Sequence, residues 1–451
     1  MGLTPVSRVR LAAVTARALP SLLSHPRGSR QRVASFRIRR LRAIVAHAYR
    51  SVPYYRALFD RVGLTPADIR TVGDLERIPI SAREDIQRAA PDQITARGLD
   101  PSALIHHATS GSSGRPLTMR RTWMEERLLN TLRRRALGEL GLRMTDRVAH
   151  ITLPRPPHPN DSQLARRVTE RLRIYPVRRL DCRLPPEELL ERLVEAPPDV
   201  LVGLSGVLTQ IAACIGARGG AVIRPRTVVA SGEVLTPHMR DRIGRAFDAP
   251  VFELYATFEA GVLAWQCPSG GAMHVCDDSV VLEVIRDGRP AEPGERGEVV
   301  LTALHSFAMP FLRYRLGDVV TRGAEACECG APFSTIASIQ GRMIDYFRLP
   351  AGRLLHPYEI VSILRTTCDW ILQYRLIQAR ENRIVLQILP AEAPAGSQLA
   401  ELCERIEQVV GTAVEVQLEI VASMPLESTG KFRVSRSFVH SEYDGVVWNQ
   451  P

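Results

Sequence analysis

Apolar residues are spaced in two ways along this 451-residue chain. From about residue 30 to 95 they recur at helical spacing, broken by turns at Ser51-Val52-Pro53 and Ile78-Pro79-Ile80. Here Arg37-Ile38-Arg39-Arg40-Leu41-Arg42 runs into Ile44, Val45, Ala48 and Tyr49, a pattern that predicts a helix with a solvated basic face. From about 145 to 340, short apolar runs alternate with helical stretches. The runs include Val148-Ala149-His150-Ile151-Thr152, Val200-Leu201-Val202-Gly203, Thr227-Val228-Val229-Ala230-Ser231 and Val251-Phe252-Glu253-Leu254-Tyr255. Continuous apolar runs between helices predict buried parallel strands in α/β layers. Several end in small or polar residues, and open α/β sheets bind ligands beyond the carboxyl ends of their strands.

The pattern changes after Gly341. A helix is predicted over 357–367, a strand over 384–389, and a second helix over 397–410 with Leu399, Leu402, Ile406 and Val409 on one face. Alternating Val414, Val416, Leu418 and Ile420 predict a half-buried strand. The expected fold class is therefore α/β: a large N-terminal domain over 1–340, with a helical start over about 30–95, and a small α+β domain over 341–451.

Composition adds exclusions. Hydrophobic residues make up 45% and charged residues 24%, as in an ordinary globular protein. No run of about 18 apolar residues is present, so no membrane span is expected. Arg8, Arg10 and Arg17 interrupt any signal-peptide core, and Val6 stands where a myristoylation motif needs Ser or Thr, so a cytoplasmic protein is expected, monomeric or homodimeric. The net charge is +11, but the arginines are scattered among Asp and Glu. Aromatic residues do not interleave with a basic patch, which argues against nucleic acid. Such a surface suits anionic small molecules such as nucleotides. Of the 59 basic residues one alone is lysine, Lys431, in Met424-Pro425-Leu426-Glu427-Ser428-Thr429-Gly430-Lys431-Phe432. In a chain that otherwise uses Arg, a retained Lys marks a place where a compact charge on a flexible stem serves and a planar fork does not; chance is the competing explanation.

Two constellations carry chemistry. Ala108-Thr109-Ser110-Gly111-Ser112-Ser113-Gly114-Arg115-Pro116 places hydroxyls, glycines and one cation in a loop able to curl around phosphate. It is not a Walker loop, because no Gly-Lys-Ser/Thr follows at the required spacing. The second is Cys267, His274, Cys327 and Cys329, a set of three thiolates and one imidazole suited to a closed structural Zn²⁺ site. Cys276 competes with His274 for that role, and reduced buried thiols are the alternative.

The order of motifs resembles that of the adenylate-forming superfamily, which includes acyl-CoA synthetases, adenylation domains and luciferases. The 108–116 loop is similar to its phosphate-binding loop. Ala230-Ser231-Gly232-Glu233 resembles its Gly-Glu element lining the adenine and acyl pockets, and Tyr255-Ala256-Thr257-Phe258-Glu259 its Tyr-Gly-x-Thr-Glu. Tyr314-Arg315-Leu316-Gly317-Asp318 resembles Tyr-Arg-x-Gly-Asp, Gly341-Arg342 its hinge opening, and Pro425-x-x-x-x-Gly430-Lys431 its terminal catalytic lysine. The start of the chain, Ala48-Tyr49-Arg50-Ser51-Val52-Pro53-Tyr54-Tyr55-Arg56, then Gly63-Leu64-Thr65-Pro66 and Asp74-Leu75-Glu76-Arg77-Ile78-Pro79, is similar to the phenylacetate–CoA ligase branch, whose relatives include capsule-biosynthesis and natural-product enzymes. Some members of that branch carry a zinc with similar spacing.

The resemblance implies a mobile C-terminal lid and a two-step reaction. A carboxylic acid, aryl or related, is adenylated by Mg·ATP and the acyl group is passed to CoA. It implies that Thr109, Ser110, Gly111, Ser112, Ser113, Gly114 and Arg115 hold phosphates and that Ser231, Gly232, Glu233, Tyr255, Ala256 and Thr257 line the nucleotide and acyl pocket. Glu259 holds Mg²⁺, Asp318 and Arg342 the ribose, and Lys431 the reacting carboxylate and α-phosphate. The acid pocket is expected around 201–205, Ser231 and 255–261. Ala256 stands where the family has Gly, and Phe258 where it has a hydroxyl residue. Leu349-Pro350-Ala351-Gly352-Arg353 differs from the apolar-Gly segment that meets pantetheine in acyl-CoA synthetases. The acceptor therefore stays open between CoA, an amine and a carrier-protein thiol, with a non-catalytic nucleotide-binding relative as the other alternative.

Overall fold

The structure is a computed structural model that describes residues 20–108, 117–154, 176–220, 222–342, 347–355, 357, 359–360, 363–364, 370–390, 392–424 and 434–439. Five strands form the parallel half of the main sheet: β1 (Val148–Thr152), β2 (Val177–Asp181), β3 (Val200–Leu204), β4 (Thr227–Ser231) and β5 (Val251–Thr257), in the spatial order β2-β1-β3-β4-β5. Both faces of β1, β3 and β4 are covered, as their apolar text requires, whereas the edge strand β2 is polar and partly exposed. Helices α4 (Pro186–Glu195), α5 (Ser205–Ala217) and α6 (Pro237–Phe247) supply Leu189, Leu193, Leu208, Ile211, Ile243 and Phe247 to a core with Leu201, Val228 and Ala230. The alternate residues Val200, Val202, Val229 and Leu254 pack on the other face with Ala136 and Leu137 of α3 (Trp123–Glu139).

The expected parallel layering holds for this half only. The sheet continues through β6 (Gly261–Gln266), β7 (Met273–Val275), β8 (Val280–Arg286), β9 (Arg296–Ala303), β10 (Tyr314–Arg322) and β11 (Thr335–Arg342), all paired antiparallel, in the order β5-β6-β7-β11-β10-β9-β8. Those that are neighbours in both chain and sheet, β5-β6-β7 and β8-β9-β10-β11, are joined without an intervening helix, a connection that suits antiparallel pairing. The helical start covers this half. Helices α1 (Arg30–Ser51) and α2 (Pro53–Arg61) bring Leu41, Ile44, Val45, Leu58 and Phe59 against Val281, Leu304 and Leu312.

The basic face of α1 is only partly solvated. Arg32, Arg39, Arg42 and Arg50 are exposed, but Arg40 is buried, with its guanidinium over the Phe307 ring and bonded to Leu304 O and His305 Nδ1. Burial pulls its pKa down to about 10.

A second sheet of four strands is built from β12 (Ile371–Arg380), β13 (Arg383–Pro390), β14 (Glu415–Ile420) and β15 (Ser435–Ser437). Helix α7 (Gly396–Val410) lays Leu402, Ile406 and Val410 on Leu376, Ile384, Leu386 and Ile388. The predicted helix 397–410 and strands 384–389 and 414–420 are present with ends shifted by a residue or so, and β12 is an additional strand. Residues 357, 359–360 and 363–364 of the predicted 357–367 helix are helical. Among the described residues, no helix is long and apolar enough to cross a membrane.

Candidate active site

The carboxyl ends of β3, β4 and β5 meet at one edge. Leu204 pairs with Ser231, and Ser231 with Leu254, one residue before Tyr255. Gly232 follows with φ +83°, and a Cβ there would sit 2.9 Å from Leu204 Cδ2, so the turn off β4 needs glycine. The turn aims Glu233 back at α5: its Oε2 accepts from Gly206 N at 2.7 Å, and Ser205 Oγ donates to its carbonyl at 3.3 Å. Glu233 therefore caps the N-terminus of α5, where unpaired amides favour a carboxylate. The expected pocket residue also fixes the helix beside the pocket. Residues 201–205, expected near the acid, are almost wholly buried strand and helix start.

Tyr255 Oη donates to Asp318 Oδ2 at 2.5 Å, and both residues are buried. Four strand intervals separate β5 from β10 in the sheet order. At about 4.8 Å each these would span roughly 19 Å if flat, so the sheet must curl for the two side chains to meet. Asp318 is also the register partner of Arg342 on β11, which puts the two expected ribose residues on adjacent strands. The Arg342 side chain lies outside what is described, as do residues 109–116 and Lys431.

Glu259 follows β5 and is buried at 5% exposure. Its Oε1 lies 4.0 Å from Arg83 Nη1, and Ser306 Oγ donates to its carbonyl at 3.5 Å. A buried carboxylate is the hard oxygen donor that Mg²⁺ takes, so the residue fits that ion. Thr257 Oγ1 accepts from Ala260 N at 3.4 Å, and Ala256 is half-buried. Phe258, which replaces a hydroxyl residue of the resembling motif, stacks on the His107 ring (centroids 5.9 Å apart, planes at 26°), and its carbonyl accepts from Arg121.

His107 lies on the strand Ile105–Ala108, and Met119 pairs with it on the returning strand Thr118–Arg121. The two strands that flank residues 109–116 in sequence are thus paired, and His107 of the first lies against Phe258. Burial acts to raise the Glu126 carboxyl, but bonds from His107 at 2.9 Å and Arg121 at 3.0 Å outweigh it and hold the pKa at about 2.

The ligand atoms of Cys267, His274, Cys327 and Cys329 all lie within 4.8 Å of one another. Cys267 Sγ and Cys327 Sγ are 3.7 Å apart, and Cys329 Sγ and His274 Nε2 3.3 Å. Backbone turns preform the group. Cys267 N bonds Ala272 O at 2.8 Å, Gly330 N bonds Cys327 O at 3.0 Å, and Ala331 N bonds Cys329 Sγ at 3.4 Å. Three thiols and an imidazole at such separations fit tetrahedral Zn²⁺. Cys276 is not in this group. It is fully buried, burial raises its pKa to about 12, and its charged neighbours are Arg135 and Asp278, which resolves the competition in favour of His274.

The chain is 25% identical over 375 residues to a phenylacetate-coenzyme A ligase of Thermus thermophilus, covering 79% of this chain and 80% of that protein. It is 26% identical to the Escherichia coli phenylacetate-coenzyme A ligase, over 62% of this chain and 65% of that one. Residues 349–437 match the CapK C-terminal domain family. A 2-hydroxyisobutyryl-CoA ligase structure in its postadenylation state superposes with a TM-score of 0.72 at 22% identity, covering 89% of this chain and 88% of that one. The fold is that of the adenylate-forming CoA ligases. In sequence the chain is a relative of the phenylacetate-coenzyme A ligases.

Within this adenylate-forming fold, several residues at the site gave no signal in the sequence. Glu125 is fully buried. Its Oε2 accepts from Thr122 N at 2.7 Å and its Oε1 from Phe307 N at 2.5 Å and Ala308 N at 2.9 Å. Burial raises its pKa, and those amides oppose the rise. Thr122-x-x-Glu125 is a capping-box pattern that marks the start of α3, but nothing in it foretells the bonds to 307–308.

Proposed function

We propose that this chain is an AMP-forming ligase that activates a carboxylic acid, aryl or related, and passes the acyl group to the thiol of CoA. A carboxylate oxygen attacks the α-phosphorus of ATP and pyrophosphate departs with the electron pair of the broken P–O bond. The thiolate then takes the acyl carbon and AMP leaves. The observation that carries this reading is the Tyr255–Asp318 contact at 2.5 Å beside the carboxyl ends of β3 to β5, with Glu259 two residues past β5. It joins motifs 63 residues apart at the edge where open α/β sheets bind nucleotides.

In this reading Asp318 and Arg342 take the ribose hydroxyls, Tyr255 and Ser231 to Glu233 border the base, and residues 109–115 hold the leaving phosphates. Mg²⁺ on Glu259 supplies positive charge to the triphosphate when bound. Lys431 neutralises the meeting of two anions, carboxylate and α-phosphate, and its residues 341–451 form the lid that carries it away for the second step. Leu204 and Ala256, both half-buried and apolar near the carboxyl ends of β3 and β5, favour an uncharged aryl or aliphatic acid body. The reduced Cys/His group supports a cytoplasmic location and a structural Zn²⁺ held by Cys267, His274, Cys327 and Cys329.

Acid-dependent ATP–pyrophosphate exchange, screened over aromatic, aliphatic and amino acids, tests the first step, and thioester formation with and without CoA tests the second. Lys431→Ala should abolish exchange and leave ATP binding largely intact, and Lys431→Arg should also fail. Near-wild-type exchange in Lys431→Ala would remove the lysine from the reaction. Metal analysis of protein purified without chelator should find about one Zn²⁺ per chain, lost in Cys329→Ser.

A further inference from the structure

We infer that Arg121 and Glu126 are positioning residues for the Glu259 carboxylate, gripping the backbone that carries it; this rests on the adenylation reading above. Glu259 sits past the end of β5, where strand pairing no longer holds the chain. Two groups grip the residue before it: Arg121 donates to the Phe258 carbonyl, and the His107 ring stacks on the Phe258 ring at 5.9 Å. Both groups meet at one atom, Glu126 Oε2, at 3.0 and 2.9 Å.

The other side is held too. Ser306 Oγ donates to the Glu259 carbonyl at 3.5 Å, and the next two amides, Phe307 N and Ala308 N, bond to Glu125. Of the consecutive glutamates on the first turn of α3, Glu126 thus holds the two groups on Phe258, and Glu125 fixes the 307–308 backbone next to Ser306, whose hydroxyl meets the Glu259 carbonyl. The Phe258 side chain is apolar, and its carbonyl and its ring face are the two features that these residues take. Groups that orient a metal-binding carboxylate without touching the ion are typically worth about 10–100-fold in metal affinity.

The test compares wild type with Glu126→Gln, Arg121→Met and the conservative Arg121→Lys. Mn²⁺ binding in the presence of ATP is titrated by electron paramagnetic resonance, and the half-saturating Mg²⁺ and acid concentrations of pyrophosphate exchange are measured alongside Tm. Glu126→Gln and Arg121→Met should weaken Mn²⁺ binding and raise the Mg²⁺ half-saturation about tenfold or more, leaving the acid half-saturation unchanged; Arg121→Lys should recover part of the loss. Metal affinity unchanged in folded variants, with only Tm lowered, overturns the inference and leaves a structural ion pair. So does a wild type that binds no Mn²⁺ with ATP, or an equal rise in the acid half-saturation. A wild type that exchanges no pyrophosphate with any acid, but whose Mn²⁺ binding weakens in Glu126→Gln, sinks the adenylation reading and keeps the positioning role.

Discussion

Helix α3 carries a buried carboxylate–arginine network near each end, about 14 Å apart along its axis, and the two do different work. At the first turn, Glu126 holds Arg121, which binds the backbone beside Glu259. Nine residues on, Arg135 grips Asp278 through two bonds of 2.5 and 3.0 Å, with its guanidinium over Trp265 and Phe333. Asp278 also meets His25 Nδ1 at 2.7 Å, and Arg135 bonds Leu22 O at 2.7 Å. Burial drives the Asp278 carboxyl up, but Arg135 and His25 overcome it and hold the pKa at about 2. The second network thus fastens residues 22–25 to the turn before β8. Similar chemistry on one helix holds the backbone beside Glu259 at one end and residues 22–25 at the other.

The largest expected effect is Asp278→Ala, which leaves Arg135 buried without its partner and should cost about 3–5 kcal/mol by denaturant unfolding. Metal half-saturation in the surviving folded fraction should stay at the wild-type value. A metal effect as large as that of Glu126→Gln would erase the contrast between the two ends. Glu126→Gln comes next, with a tenfold metal effect equivalent to about 1.4 kcal/mol but a smaller change in Tm.

A finer probe is pH. His305 accepts from Arg40 at Nδ1 and donates to Asp278 O at Nε2, so its ring is neutral. Burial first, then Arg40, lower its pKa to about 3 from the ordinary 6.5. The unfolded chain takes up a proton at this ring as pH falls through 6.5, whereas the folded chain does so only near 3, so stability drops across that window. By linkage the loss from this ring is about 2 kcal/mol between pH 7 and 5. His305→Gln should flatten the wild-type slope by about that amount, and an unchanged slope would place the titration elsewhere. Asp278, lowered to about 2, acts only below its ordinary 3.8: its contribution is present above that pH and lost as pH falls toward 2.

Much of the site was legible because its residues sit in local patterns. Ser231 and Tyr255 lie in or at the end of continuous apolar runs, Gly232 follows one where only glycine fits, and Cys327-x-Cys329-Gly330 is a turn written in three residue types. Glu233 was picked out as a pocket residue, but its bond to Gly206 depends on where β3 delivers the next helix. Glu125, Glu126, Arg121 and His107 look like an ordinary capped helix start and a polar strand, because their partners at 258 and 307–308 are more than 130 residues away.

The sequence by itself determined the order of motifs, the alternation of apolar runs and helices and the small α+β unit after residue 341, since each is written in local residue patterns. The tertiary structure alone decided that half the sheet is antiparallel, that Arg40 is buried, that His274 and not Cys276 joins the thiols, and that Tyr255 meets Asp318 across four strand intervals. These depend on sheet curl and on side-chain burial. Both are set by the packing of distant segments against one another, which no local periodicity records.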